Sequence, residues 1–372
     1  MRRILAALTL AGSLAGCLAA QAAVTESAPA PATAPSSRPA DPATVLERLA
    51  APLATAGRSP CLVAGVVRDG HRTIRGFGRV RAGADAAPDG RTVFEIGSIT
   101  KTFTALLLAD MVERGEVRLE QTLQSLLPAE LRVPERNGKA ITLAQLATHT
   151  SALPRLPWNL APRTMRNPYA EYDAPKLQEL FAILELGRDP GARYEYSNLG
   201  YGLLGHALVL HAEAADYEAL LRKRVLDPLG LADTRITLAP EQAARLAPGH
   251  DEKGNIVANW TFGLIAGAGA LRGTVADLLD YGEQAGGLRE SPLAAAFRRC
   301  TKVTFQQREL RVGLGWHLAR IGGVEVVWHN GGTGGYRSHL AVAPERGLVV
   351  AVLSASVHQV DELAQQILRE ML

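Results

Sequence analysis

One serine and one lysine have the spacing that nucleophilic catalysis requires. Ser98 and Lys101 stand three positions apart at the start of a stretch with helical periodicity, so their side chains share one face of the predicted helix. A serine hydroxyl is a weak nucleophile, and a neighbouring lysine activates it if the ammonium loses its proton. Amides at a helix N-terminus also favour developing negative charge. The pair predicts a serine nucleophile with a lysine base, although a serine cap followed by a solvent-exposed lysine has the same spacing.

A tyrosine and an asparagine form the second candidate group. Tyr196 and Asn198 lie in a predicted loop just before an apolar helical run. A phenol held near the cation of Lys101 would have its phenolate stabilised, which makes it a usable proton shuttle near neutral pH. An asparagine amide offers a donor and an acceptor for orienting a lysine or a substrate amide. The alternative is a tyrosine packed at a helix start with Asn198 as the cap.

The third candidate is a histidine followed by a glycine-rich run. His329 and Asn330 follow a predicted strand, and glycine occupies four of the five positions 331–335. Such a run indicates a close approach of the backbone to a ligand, or a bend that side chains would block. Its amides predict one half of an oxyanion hole, with the Ser98 amide as the other half. A glycine-rich hairpin connection with a structural His329 is the alternative.

Two kinds of predicted element surround these motifs. Helical periodicity occurs at 99–114, 176–186, 199–211, 217–226 and 360–372, and β-rich runs occur at 61–66, 73–80, 312–319, 324–328, 338–342 and 348–353. Connections between the late strands are too short for crossover helices, which predicts antiparallel pairing. The simplest assembly joins the N-terminal hairpin to the late strands. The expected fold class is therefore α/β of the α+β type, with an antiparallel sheet flanked by helices and a mainly helical lobe.

The N-terminal residues predict export from the cell. Residues 1–23 have the pattern of a signal peptide, with a basic start followed by an apolar run from 4 to 14. Either a lipobox ends at Cys17, whose lipidation would tether the protein to a membrane, or ordinary cleavage follows Ala22. Residues 24–43 are rich in Ala, Pro, Ser and Thr and predict a disordered linker. Residues 44–372 form the predicted hydrolase domain, and we expect a periplasmic protein or a membrane-anchored lipoprotein of a bacterium.

The composition argues against several classes of function. Lys and Arg total 40 against 37 Asp and Glu, and the arginines are scattered, so no nucleic-acid partner is expected. The nine histidines show no ligand spacing typical of zinc, and neither a metal nor an organic cofactor is predicted. Cys61 and Cys300 are expected to be buried free thiols rather than a disulfide. Nothing in the sequence indicates an oligomeric state.

Taken in order, the three motifs resemble those of the class C β-lactamase and DD-peptidase superfamily. There, a Ser-x-x-Lys pair begins a helix, a Tyr-x-Asn motif follows in the helical region, and a Lys-Thr-Gly or His-x-Gly triplet lies on a late strand. The flanking segments 94–97, 146–151, 153–154 and 228–231 agree with this family, and the resemblance covers roughly residues 46–370. It implies a β-lactamase/transpeptidase-like fold.

The resemblance also implies a role for each candidate residue. Ser98 is similar to the acylated nucleophile, Lys101 to its basic partner and Tyr196 to the proton shuttle. The backbone amides of Ser98 and Gly332 take the place of the oxyanion hole. Substrate binding is implied for four further residues, Asn198, His329, Asn330 and Gly331.

Positions 329, 330 and 156 depart from the β-lactamase pattern, and Asn330 stands where those enzymes usually have threonine. His329 stands where class C β-lactamases usually have a lysine, and a histidine near neutrality supplies only part of a positive charge to a substrate carboxylate. Leu156 stands where those enzymes commonly have glutamine. The expected function is a serine hydrolase that forms an acyl-enzyme on β-lactam or D-amino-acid peptide-like amides, with a small molecule or a peptidoglycan fragment as substrate. A carboxylesterase and an inactive binding protein on the same scaffold are the alternatives.

Overall fold

An antiparallel sheet lies at the centre of the protein. The computed structural model describes residues 41–81, 87–160 and 166–372. The strands of the sheet are β1 Cys61–Arg68, β2 His71–Gly78, β5 Phe305–Gln307, β6 Leu310–Val312, β7 His317–Ile321, β8 Val324–Gly332, β9 Arg337–Ala343 and β10 Leu348–Ser354. Their order is β2-β1-β10-β9-β8-β7-β6-β5. A separate two-stranded ladder joins β3 Phe94–Glu95 and β4 Arg272–Gly273.

The predicted union of the N-terminal hairpin with the late strands is confirmed. Strand β1 pairs with β2 on one side and with β10 on the other, in a register that sets Leu62 opposite Ser354. All pairs in the sheet are antiparallel, as the short connections require. The expected mixed fold with an antiparallel sheet and flanking helices is therefore correct.

One strand prediction is wrong. The run 312–319 is not a single strand, because β6 ends at Val312 and β7 begins at His317. Gly315 lies in the turn between them with a φ of +76°, a conformation that favours glycine. A Cβ on this glycine would lie 2.9 Å from the carbonyl oxygen of Lys101. The turn therefore packs closely against the helix that carries Lys101, and packing of this kind leaves no periodic signal.

Strand β8 is longer than predicted. It continues past Trp328 through Gly332 and pairs with β9 from Val327 onward. The glycine-rich run therefore begins inside the sheet, not in a connection after it. The edge strand β5, which the sequence patterns missed, forms a hairpin with β6, and Arg308 in its turn has a φ of +54°.

Apolar side chains cover both faces of the sheet. In β1, Leu62 and Val63 belong to two different hydrophobic clusters, because successive strand residues point to opposite faces. The cluster that contains Val63 extends into the helical segments that carry the candidate residues, and the cluster that contains Leu62 includes the N-terminal and C-terminal helices. Burial on both faces explains why β1 and β10 are nearly continuous apolar runs.

The helices flank this sheet and form the predicted helical region. They are α1 Pro42–Thr55, α2 Thr100–Glu113, α3 Leu143–Ala147, α4 Ala174–Ile183, α5 Asn198–His211, α6 Tyr217–Leu221, α7 Pro240–Ala243, α8 Val275–Ala285, α9 Ala294–Cys300 and α10 Asp361–Met371. Helix α2 is followed by Gly115, whose φ is +73°, so the predicted stop is confirmed. Helix α1 begins two residues before the predicted domain start, with Asp41 as its cap.

Several predictions fall on parts of the chain outside the described residues. These are the signal peptide 1–23, including Cys17 and Ala22, and nearly all of the linker 24–43. Within the described residues, the structure contains no helix long and apolar enough to cross a membrane. Cys61 and Cys300 are buried free thiols, as expected.

Candidate active site

Ser98 and Lys101 meet at the start of α2. Ser98 lies in a 3-10 turn that leads into the helix, and Nζ of Lys101 lies 2.9 Å from its Oγ. The lysine side chain is fully buried, and Nζ also donates to the carbonyl oxygen of Ala268 at 2.6 Å. Thr104, one turn further along α2, fixes this neighbouring segment by donating to the carbonyl oxygen of Gly267 at 2.7 Å. The amine and the hydroxyl therefore have the contact that the three-residue spacing predicts.

Tyr196 lies beside this pair. Nζ of Lys101 is 4.8 Å from the centroid of the buried tyrosine ring. The imidazole of His149 stacks on the same ring, with the two centroids 4.2 Å apart. His149 also holds the backbone on either side of Tyr196, because its Nδ1 accepts from the Ser197 amide at 3.0 Å and its carbonyl oxygen accepts from the Glu195 amide at 2.7 Å. The tyrosine is therefore positioned by a histidine 47 places earlier in the chain.

Asn198 is the first residue of α5 and does not cap it. The cap is Ser197, whose Oγ accepts from the amide of Gly200 at 2.9 Å. The backbone amide of Asn198 donates to the carbonyl oxygen of Arg155 at 2.9 Å. Its side chain is half-buried, and Oδ1 has no hydrogen-bond partner among the described residues. An acceptor is therefore available at the start of this helix.

The glycine-rich strand runs directly against the turn that carries Ser98. A Cβ on Gly97, whose φ is +51°, would lie 2.6 Å from the amide nitrogen of Gly332. A Cβ on Gly331 would lie 2.1 Å from the carbonyl oxygen of Ile96 and 2.9 Å from the amide nitrogen of Ser98. Only glycine allows the two backbones to approach this closely. The backbone amides of Ser98 and Gly332 therefore both lie at this close contact, next to the candidate nucleophile.

His329 lies on the same sheet face as these groups and is fully buried. Its Nδ1 lies 2.6 Å from the carbonyl oxygen of Asn330, so Nδ1 carries the proton and Nε2 carries the lone pair. Burial lowers the pKa of His329 well below its usual value, and the neighbouring His317 and Lys101 lower it further. The side chain is therefore a neutral hydrogen-bond acceptor at neutral pH, without a permanent positive charge.

Three buried histidines surround the site without forming a metal centre. Burial lowers the pKa of His317 to about 4, and burial together with Lys101 lowers the pKa of His149 well below its usual value. The ring centroids of His317 and His329 are 5.4 Å apart. Among residues 41–81, 87–160 and 166–372, no group of three or more His, Cys, Asp or Glu side chains is placed to hold a metal ion. These histidines are neutral packing and hydrogen-bonding groups.

Asn330 is not brought to the other candidate residues. Its Nδ2 donates to both carboxylate oxygens of Asp361 in α10, each at 3.1 Å. Nδ1 of His339 lies 2.7 Å from the same carboxylate. Because β8 continues through the motif, Asn330 points to the face opposite His329. The side chain therefore joins the C-terminal helix to the sheet, and substrate binding by Asn330 stays a prediction that these contacts do not favour.

Sequence reasoning missed two side chains that contact Tyr196. These are His149 and Arg155, whose Cζ lies 5.0 Å from the tyrosine ring centroid. His149 belongs to the flanking segment 146–151, so its place in that segment was a usable signal. Arg155 had none, because an arginine in an irregular segment has no periodicity or spacing that marks it.

Comparisons with known proteins indicate the family. A family model described as β-lactamase matches residues 46–370. The D-alanyl-D-alanine-carboxypeptidase/endopeptidase AmpH of Escherichia coli K12 is 31% identical over 300 residues, which cover 76% of this chain and 76% of that protein. Penicillin-binding protein 4 of Amycolatopsis lactamdurans is 28% identical over 339 residues, which cover 85% of this chain and 86% of that protein.

Solved structures show the same architecture. A class C β-lactamase superimposes with a TM-score of 0.78 at 20% identity, covering 89% of this chain and 95% of that chain. At this identity the likeness establishes the fold, and the family follows from the sequence matches. The turn Gly97–Ile99, which carries Ser98 and is called the nucleophile turn below, lies on this fold with the buried Lys101 and the glycine-rich strand. The chain belongs to the β-lactamase family of serine hydrolases.

Proposed function

We propose that this protein hydrolyses β-lactam or D-amino-acid peptide-like amides through an acyl-enzyme on Ser98. The contact of 2.9 Å between Nζ of Lys101 and Oγ of Ser98 carries the proposal, since it joins a nucleophile to a base in a water-poor site. The kinship with a D-alanyl-D-alanine carboxypeptidase and with penicillin-binding protein 4 supports this substrate class.

Acylation begins with attack by Ser98. Its hydroxyl proton passes to the Lys101–Tyr196 pair as Oγ bonds to the substrate carbonyl carbon. The carbonyl oxygen becomes an oxyanion that accepts from the amides of Ser98 and Gly332, which lie on either side of the close contact between the nucleophile turn and β8. Collapse of the intermediate breaks the carbon–nitrogen bond, and Tyr196 returns the proton to the leaving amine.

Deacylation uses the same groups. Water attacks the ester carbonyl and gives up a proton to the Lys101–Tyr196 pair, and the acid product leaves as Ser98 regains its hydrogen. Oδ1 of Asn198 accepts from the substrate amide N–H, a role supported by its lack of a partner among the described residues. The neutral His329 lines the site as an acceptor through Nε2.

An esterase is the second candidate function. The neutral state of His329 favours it, because a lysine at this position would supply a permanent charge for a substrate carboxylate and this histidine does not. Small acyl esters need no such charge. An inactive binding protein is disfavoured by the assembled contacts of Ser98, Lys101 and Tyr196.

We propose that the protein acts outside the cytoplasm. A basic start, an apolar run and two alternative processing sites support export, either as a periplasmic enzyme or as a lipoprotein held to a membrane through Cys17. Peptidoglycan-derived peptides and β-lactams are both met in that compartment.

Intact-protein mass spectrometry with a fluorescent penicillin tests the proposal. Wild type should gain the mass of one penicillin or should consume the compound rapidly, whereas Ser98→Ala should do neither, because it lacks the attacking oxygen. Ser125→Ala is the matched control, since its exposed hydroxyl donates to the carbonyl of Thr122 away from the site. Folding of all three is checked by circular dichroism.

The outcomes separate the candidate functions. A stable adduct on wild type and on Ser125→Ala supports a penicillin-binding peptidase, and rapid loss of penicillin without an adduct supports a β-lactamase. Wild type that ignores penicillin but cleaves short-chain esters through Ser98 supports the esterase. Full turnover by Ser98→Ala would contradict the mechanism in every form.

A further inference from the structure

The side chains of Lys101 and Arg337, which lie at the site, already donate hydrogen bonds within the protein. Lys101 is buried, and its Nζ donates to Oγ of Ser98 and to the carbonyl oxygen of Ala268. The side chain of His329 is neutral. Arg337 lies beside the end of β8, but its guanidinium donates to the backbone carbonyls of Thr333 and Tyr336 at 2.9 and 2.8 Å. A substrate that carries a carboxylate next to its scissile amide needs a different partner.

Arg155 is held against the candidate catalytic tyrosine. Its Cζ lies 5.0 Å from the ring centroid of Tyr196, within the range of a cation–π contact. Its carbonyl oxygen accepts from the backbone amides of Asn198 at 2.9 Å and Leu199 at 3.4 Å. The arginine backbone is therefore anchored to the same segment that carries the tyrosine and the asparagine.

The guanidinium of Arg155 is not neutralised. Across the described part of the chain, no carboxylate forms an ion pair with it, and its Nε is buried without a hydrogen-bond partner. The side chain as a whole is half-buried. A buried donor without an acceptor costs free energy, and a planar guanidinium is suited to bidentate binding of a carboxylate. Both facts point to an anionic ligand group at this position.

We propose that Arg155, held against Tyr196 with its Nε unpartnered among the described residues, binds the carboxylate of the substrate. The chemistry recognised is a carboxylate close to the scissile amide, as in a peptide that ends in a free D-amino acid or in a penicillin. The inference rests on the proposed hydrolase function, and it makes Arg155 a substrate-binding residue that selects anionic over neutral substrates.

A matched pair of substrates tests this role. One is an N-acyl-D-Ala-D-Ala peptide with a free C-terminal carboxylate, and the other is the same peptide with a C-terminal carboxamide. Arg155→Met removes the charge and keeps a long side chain, and Arg155→Lys restores a point charge. Arg193→Met is the control, because Arg193 is an exposed arginine, paired with Glu195 at 3.2 Å, whose loss changes the net charge equally.

The expected result is a change in selectivity. A lost charged hydrogen bond corresponds to about a 10- to 100-fold fall in kcat/KM. We expect this fall for Arg155→Met on the carboxylate peptide, less than about threefold on the carboxamide, and partial recovery in Arg155→Lys. Arg193→Met should behave as wild type on both peptides.

Other results overturn the proposal. Equal losses on both peptides would mean that Arg155 acts through Tyr196 or through the fold, and unchanged rates would mean that it has no role. Labelling of Ser98 by an uncharged fluorophosphonate distinguishes failure of the Arg155 proposal from failure of the hydrolase proposal. If wild type is labelled and cleaves both peptides without a preference for the carboxylate, the Arg155 proposal alone fails. If wild type is labelled but cleaves neither peptide, the Arg155 proposal and the peptidase form of the proposed function fail together. If Ser98 is not labelled, the hydrolase proposal fails with it.

Discussion

Burial decides the charge of His329. His329 is fully enclosed by the sheet and the helical segments, and a charged imidazole there would lose its hydration. Its proton on Nδ1 is committed to the carbonyl oxygen of Asn330. The residue type alone does not determine the charge of His329 near neutral pH. Burial lowers its pKa, so the side chain is neutral. The same reasoning applies to His317 and His149.

The buried His317 makes stability depend on pH. Its pKa is lowered from 6.5 to about 4 in the folded protein, so the unfolded chain binds the proton more tightly. The stability that this residue contributes is fully present above about pH 6.5 and is lost as the pH falls toward 4, by up to about 3 kcal/mol. Urea unfolding of wild type and His317→Gln between pH 7 and pH 4 should show a smaller pH-dependent loss in the variant.

A control separates this effect from other titrating groups. His71 is exposed, and His71→Gln is the control for replacing a histidine by glutamine at the surface. Asp277 has the opposite sign, because burial raises its pKa to about 6 and acidification removes the cost of its charge. The difference between wild type and His317→Gln therefore carries the information, and identical slopes in the two proteins would contradict the assignment.

Asn330 is predicted to matter for stability rather than for catalysis. Replacing it with alanine removes two hydrogen bonds to Asp361 and should lower the free energy of unfolding by about 1–3 kcal/mol. We expect kcat/KM to change less than about threefold, because the side chain lies on the face away from Ser98. Denaturant unfolding and steady-state kinetics measure the two quantities. A tenfold rise in KM with unchanged stability would restore the substrate-binding role.

The contact between β8 and the nucleophile turn depends on its glycines. An alanine at position 331 would place a methyl group 2.1 Å from the carbonyl oxygen of Ile96 and 2.4 Å from Oγ of Ser338, so the strand and the turn must separate. Separation would misplace the amides of Ser98 and Gly332. Gly331→Ala should therefore slow acylation by about 10²–10³-fold, the cost of losing one oxyanion-hole donor.

Acylation rates with a chromogenic ester and with penicillin measure this effect. Gly187→Ala is the control, because Gly187 has an ordinary φ and no atom within 4 Å of the added methyl group. Retained circular dichroism in Gly331→Ala would show that the loss is local. A Gly331→Ala protein that acylates at the wild-type rate would mean that these amides do not form the oxyanion hole.

The two buried cysteines, Cys61 and Cys300, can be used to measure whether the whole molecule is folded. Cys61 lies in β1 and Cys300 ends α9, and both side chains are fully buried. Burial raises the pKa of Cys61 to about 12 and raises the pKa of Cys300 as well, so neither is a thiolate at pH 8. A Cys17→Ser protein should show no reaction with a disulfide reagent when folded and two thiols in guanidinium. Thiols that appear only after reduction would mean that the two are bonded.

Local sequence patterns were sufficient to predict the antiparallel topology of the sheet. Alternation and short connections predicted the antiparallel sheet, and the three-residue spacing predicted the contact of Ser98 with Lys101. The family resemblance implied roles for Tyr196 and Gly332, and these roles stay predictions. The turn at Gly315, the edge strand β5 and the extension of β8 were missed, because close packing against other elements decides them and leaves no periodic signal.

The sequence by itself determined the residues that can react, since their types and spacing are properties of the chain. Tertiary structure decided how three side chains behave, one of which the sequence did not mark. The face of Asn330 depends on how far β8 extends, the charge of His329 depends on the elements that exclude water from it, and the approach of Arg155 to Tyr196 joins residues 41 positions apart. Hydration and distance are set by packing between distant segments, so no local pattern records them.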